Sequence, residues 1–260
     1  NQGLPSFTDC LFDTNYASYG GGLYLQSGTL TMSGSVFDAN YTYHSGGGLF
    51  AGSGTTVDLQ STDFVDNWGY YVHGAGMYIG EYSLLTLNGG DFSANYPAYA
   101  SSGYHGGAIY LSSFAAAQLQ NAVFEENTAL HGGALYGEYD NDITLSGNSW
   151  TDNNARYGGA IYLNDECGIQ ASNESFTNNN SDYSGGDIAA LNRFALDFSD
   201  SSFEQGAAAY GHGGSLYLDG AGSLALDGSS ITSSAAYYSG GCLYALGLND
   251  LVSVTASELV

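Results

Sequence analysis

A motif repeated nine times at nearly constant spacing constrains this chain more than any other feature. Phe-x-x-Asn recurs as Phe12/Asn15, Phe37/Asn40, Phe64/Asn67, Phe92/Asn95, Phe124/Asn127 and Phe176/Asn179, with Trp150/Asn153 as a tryptophan version. It decays to Phe203/Gly206 and Ile231/Ser234. After each copy come glycines, a small residue and an aliphatic one. The aliphatics are Leu23, Leu49, Met77, Ile109, Leu135, Ile161, Ile188, Leu216 and Leu243, spaced 26, 28, 32, 26, 26, 27, 28 and 27 residues apart. Copies this regular are single structural units stacked on one another.

Within a copy, apolar residues alternate with polar ones, as in Leu30/Met32, Val57/Leu59, Leu85/Leu87, Ile143/Leu145, Leu196/Phe198 and Leu224/Leu226. Period two marks strands with one buried face, and no segment has a helical period. The expected fold is all-β: a right-handed parallel β-helix of about nine coils, three short strands per coil, forming a single domain over residues 1–260. At a rise of ~4.8 Å per coil such a rod is about 43 Å long. The Phe and aliphatic residues stack inside. Phe and Asn are three apart, so a bend between them is needed to turn Asn inward. Asn15, Asn40, Asn67, Asn95, Asn127, Asn153 and Asn179 then form an amide ladder at a turn. The glycines supply positive φ or close approach where the chain enters the first strand.

Intact Gly-Gly-Ala-Ile/Leu runs at positions 106–109, 132–135 and 158–161, together with Phe-x-x-Asn, resemble the repeats of chlamydial polymorphic outer-membrane proteins. That family consists of autotransporter-type adhesins with β-helical passenger domains. Other copies vary the third residue, and Gly74-Ala75-Gly76-Met77 departs further. The resemblance covers nearly the whole chain and lacks the family's C-terminal membrane barrel. It implies an extracellular adhesive or structural rod.

Composition removes several functions. The only basic side chains are Arg156 and Arg193, against 26 acidic ones, for a net charge of −24. Two arginines cannot build a nucleic-acid surface or hold anionic lipid. No apolar run reaches the ~20 residues of a membrane span, so no membrane insertion is expected. The chain starts at Asn1 without a leader-like segment and reads as a mature or excised piece. Absence of lysine with strong acidity suits a secreted protein, and also halophilic adaptation. Cys10, Cys167 and Cys242 have no metal-ligand spacing, and no cofactor is expected. Cys242, in the small position after the glycines, reads as a buried thiol. Cys10 and Cys167 lie about six coils apart, where only contact between molecules pairs them.

Three features are candidates for recognition. In the first strand Tyr24, Phe50, Tyr78, Tyr110, Tyr136, Tyr162, Tyr217 and Tyr244 point outward, interrupted by Ala189. This stripe is expected either to contact carbohydrate, a sister rod or glycans, or to stabilise itself by stacking. Segments between Asn and the glycines vary from 4 to 10 residues and hold 14 of the 23 tyrosines plus Trp68. They read as recognition loops or as an edge shield, and the longest, residues 96–105, is expected to protrude. His44, His73, His105, His131 and His212 all fall just before the glycines, where Tyr stands in other copies. That exchange favours planar stacking over metal ligation. Asp140/Asp142 and Asp165/Glu166 are acidic pairs without a calcium-loop pattern. Of three glycosylation sequons, Asn40 and Asn179 fall in the inward ladder, which leaves Asn173.

The leading functional expectation is a structural or adhesive surface rod. Unpaired strand edges at open ends recruit further coils, so end-to-end assembly with itself, or continuation in a longer fibre, is expected. Carbohydrate or another surface protein are the other expected partners. A polysaccharide-degrading β-helix is the alternative, but a lyase needs a basic proton acceptor and cations for uronates, and this chain offers two arginines.

Overall fold

The computed structural model describes residues 5–98, 103–248 and 252–260. Among the described residues there is no helix, and the strands pair in parallel with their counterparts one repeat away. The result is a parallel β-solenoid of about nine turns. Leu49–Ala51 and Thr56–Gln60 lie on the first face of their coil, Asp63–Val65 on the second and Trp68–Gly69 on the third. The third-face strand is short and sits in what the sequence presents as loop. Among the described residues the first face builds a 17-stranded sheet and the second a 10-stranded one, while the third divides into four and five strands. Two coils run their first-face strands together, as Ile188–Ser199 and Leu216–Asp227.

Register is set by the motif. Met77 lies opposite Leu49 and Ile109, and Tyr78 opposite Phe50 and Tyr110. Since side chains alternate across a strand, one in-register position places a whole column on the same side. The second-face aromatics stack from Phe12 to Phe203, with centroid separations from 4.1 Å (Phe124–Trp150) to 5.6 Å (Trp150–Phe176). Members from Phe37 onward are fully buried.

The bend that turns Asn inward is a single left-handed residue. Thr14, Ala39, Asp66, Ala94, Glu126, Asp152, Asn178, Gln205 and Ser233, each just before the Asn position, have φ between 51° and 59°. Such a conformation costs a non-glycine residue about 1 kcal/mol, and the ladder it creates holds it in place. Asn95 shows the pattern: its backbone N and Nδ2 donate to Asn127 Oδ1 at 3.1 and 3.0 Å, and Nδ2 also donates to Phe64 O at 2.8 Å. Asn40 through Asn179 are fully buried. Asn15 joins the ladder through Asn40 Oδ1 but is exposed, lying in the first described coil. The first glycine of each pair is left-handed too. At Gly106 φ is 65°, and an added Cβ would collide with the Ile109 carbonyl.

A second internal ladder runs along the corner before the Phe strand, with no repeated residue type to announce it. Ala122 N donates to Asn148 Oδ1, Asn148 N to Glu174 Oε1, Glu174 N to Ser201 Oγ and Ser201 N to Ser229 Oγ, at 2.9 to 3.2 Å. Asn, Glu and Ser side chains all serve as the acceptor here, so the position varies in sequence while its geometry does not.

Candidate functional site: the aromatic columns

The first-strand aromatics form the expected column, with rings nearly parallel. Tyr24–Phe50, Phe50–Tyr78, Tyr78–Tyr110, Tyr110–Tyr136 and Tyr136–Tyr162 are separated by 4.8 to 5.4 Å at interplanar angles of 1° to 10°. After the break at Ala189, Tyr217 stacks on Tyr244 at 5.3 Å. The column is not a continuous surface stripe. Tyr24 is 54% exposed, but Tyr110, Tyr136 and Tyr162 are only 6%, 7% and 6% exposed, and Phe50, Tyr78, Tyr217 and Tyr244 are half-buried.

The cover is a second column of rings from the preceding turn. His105 stacks on Tyr136 at 4.6 Å and 15°, His131 on Tyr162 at 4.5 Å and 15°, and His73 packs at 4.9 Å from Tyr110. His105 and His131 stack on each other at 4.6 Å. The imidazoles thus lie against the column, with His131 reaching both Tyr136 and Tyr162, and ring faces that a sugar would use are spent on neighbouring rings. Burial lowers the His105 affinity for a proton, to a pKa of about 3, helped by the neighbouring His131 and His73. Burial likewise takes His131 to about 4, with Arg156 adding to the effect. His73 is lowered by burial against a small opposing pull from Glu138. Nδ1 of His73, His105 and His212 is buried without a hydrogen-bond partner.

Alignment just before the glycines holds for His73, His105, His131 and His212, which share a register with Tyr157 and Ser184. In the other copies it slips. Ser45, Ser184 and Ser239 hold the register position, so His44, Tyr183 and Tyr238 stand one residue earlier. The loop before them absorbs the extra residue. At the hydroxyl end of the tyrosine column, Glu138 accepts hydrogen bonds from Ser112 Oγ (2.9 Å), Ser113 N (3.0 Å) and Ser113 Oγ (3.1 Å).

One partly exposed aromatic row lies on the third face of the first four coils, its middle members Tyr41 and Trp68 half-buried, while Tyr82, Tyr210, Tyr237 and Tyr238 are exposed elsewhere. Tyr16, Tyr41, Trp68 and Tyr96 follow one another at 4.3, 4.5 and 6.4 Å. Tyr16 is 58% exposed, and Tyr43 and Tyr71 flank the row in the open. Part of the longest loop, residues 99–102, lies outside the described residues. A shallow groove of about 640 Å³ crosses the first face of coils five to eight, over Gly168 and Ala195 and between Asp142, Thr144, Gln170 and Asp197.

Asp165 and Glu166 are engaged by Arg193, with Nη2 3.1 Å from Asp165 Oδ2. Arg156 lies over the Tyr183 ring at 4.9 Å. Asn173 is exposed at a left-handed corner, φ 57°. The three thiols are free. Cys167 is buried, out of reach of a second molecule, whereas Cys242 is half-buried because the last turn covers it incompletely.

Two interior carboxyls went unnoticed in the sequence. Glu174 and Asp187 are buried at two corners of the same coil, and burial pushes both up to about 7. Each stands at a motif position that other copies fill with small or amide residues, and that mismatch is the signal that could have found them. No family model, curated protein or solved structure matches this chain. The likeness to the chlamydial repeats rests on the motifs alone, and the architecture adds only the parallel solenoid.

Proposed function

We propose that the chain is an extracellular structural or adhesive rod. The observation that carries this reading is the unbroken stacking of second-face aromatics from Phe12 to Phe203, which makes each coil a rigid spacer for the next. Rigid solenoids hold side chains at fixed separations along one side, which suits contact with an extended or repeating partner. The row Tyr16, Tyr41, Trp68 and Tyr96 is the surface for that contact, with carbohydrate or another surface protein as partner. Tyr24 and the half-buried ends of the first-strand column add to it. Asn173 is the position for an N-linked glycan.

The rod ends support association with further coils. Among the described residues, Leu11–Asp13 and Glu258–Leu259 are the edge strands of the second-face sheet, and Leu11, Leu259 and Val260 are exposed there. Coils from a second copy in an end-to-end filament, or from a longer fibre, would bury these groups. The acidic flanks oppose sideways clumping.

Negative-stain microscopy of the purified chain tests the proposal. Stiff rods, or fibres of uniform width, are expected, and compact globular particles would overturn it. Fibres identify self-assembly, whereas short separate rods identify a fibre segment. Turnover on a polysaccharide panel, lost on changing Asp142 or Asp197 in the groove, would instead establish the enzyme alternative.

A further inference from the structure

The asparagine ladder reaches Asn179 and then meets Gly206, where the motif places the next asparagine. Its place is filled from another part of the coil. Asp187 stands in the small-residue position of Gly185-Gly186-Asp187-Ile188, where the neighbouring coils have Ala160 and Ser215. Asn179 Nδ2 donates to Asp187 Oδ1 at 2.9 Å, as each earlier asparagine donates to the amide oxygen of the next. A Cβ added to Gly206 would lie 2.5 Å from Asp187 Oδ2 and 2.8 Å from Ser215 Oγ. Glycine at 206 therefore makes the room that the carboxyl occupies.

The second oxygen is poorly provided for. Asp187 is 0% exposed and its Oδ2 has no hydrogen-bond partner. Ser215 Oγ, beside it, is bonded to Ser234 Oγ at 2.6 Å. The groups packed against the carboxyl are Asn179, Gly206 and Ser215, and none carries a charge. Asp182 and Tyr183, on the same turn, are exposed to solvent. Ionised, such a carboxylate is a bare charge in the interior; protonated, it keeps the carbonyl that Asn179 needs and presents a donor to the acceptors around it.

We propose that Asp187 is a pH-sensitive latch, which when protonated completes the asparagine ladder and when ionised loosens the coils that follow Gly206. Burial is the dominant influence on this group, with Asn179 and Ser215 opposing it, and its titration falls near pH 7. A carboxyl raised in the folded state lends full stability below its ordinary value, loses it progressively as pH rises to the folded value, and is constant above that.

The test is made on the full chain carrying E174Q, so that the other interior carboxyl is silent, with and without D187N. Hydrogen exchange is followed from about pH 5 to about pH 8.5, corrected for intrinsic rates. In E174Q the opening equilibrium of residues 207–248 is expected to rise by up to about tenfold per pH unit until about pH 7 and then level off. In E174Q/D187N that dependence is absent. Infrared spectra of E174Q near pH 5 should contain a protonated-carboxyl band that fades as pH rises with the same midpoint. Equal pH profiles in both chains would overturn the latch. Absence of that band in E174Q would overturn it as well, even if D187N does not fold.

Discussion

Trp150 Nε1 donates a 2.7 Å hydrogen bond to Oε2 of Glu174, one coil further along, and both side chains are buried. Asn148 Nδ2 donates to Oε1 of the same carboxyl at 3.1 Å. These bonds favour the ionised form, yet desolvation outweighs them and the group titrates near 7. Stability from Glu174 is therefore complete below about pH 4 and lost by about pH 7, a difference of about 3 kcal/mol. Urea unfolding midpoints of the parent chain should fall across that window. In E174Q the Glu174 share of the slope disappears, even though Gln cannot accept both donors.

Acid opposes this through the histidines. His105 and His131 are held neutral by burial against tyrosine and histidine rings, with folded values of about 3 and 4. A lowered histidine contributes stability above its ordinary value of ~6.5, and that contribution is lost as pH falls through the folded value. Replacing His105 by Phe keeps a stacked ring and removes the charge. Thermal unfolding of H105F should therefore depend less on pH between about 6.5 and about 3 than that of the parent.

Position along the ladder sets the effect of losing an amide. In N95A, Asn67 N and Nδ2 lose their shared acceptor inside the rod, which should destabilise by about 3 to 5 kcal/mol. In N15A the missing group is exposed and about 1 kcal/mol or less is expected. Similar losses in the two variants, read by urea titration followed by circular dichroism, would contradict the ladder as a stabilising element.

The first-strand aromatics should divide by burial. Y136A removes a ring stacked against Tyr110, Tyr162 and His105, for an expected loss of about 3 kcal/mol. Y24A removes a ring that is more than half exposed, and its melting temperature should change little. A pure contact stripe would give small effects at both positions.

The fold was legible because a solenoid turns sequence spacing into contact: residues about 27 positions apart become neighbours, so Phe64 and Phe92, or Asn67 and Asn95, announce their own stacking. The amide ladder could be read for the same reason, one residue type at one position. Other relationships had no such signature. The corner ladder accepts Asn, Glu or Ser alike, since only an acceptor is required. Alternation placed Tyr110, Tyr136 and Tyr162 outside the core correctly, but their burial depends on how the preceding loop lays His73, His105 and His131 across them, which no strand period encodes. By itself the sequence determined the parallel coil, its register and its stacked interior, because those follow from repetition along one axis. Only the tertiary structure decided which outward rings are covered and that Asp187 fills the place left by Gly206, because both depend on how segments of different coils and corners fold against each other.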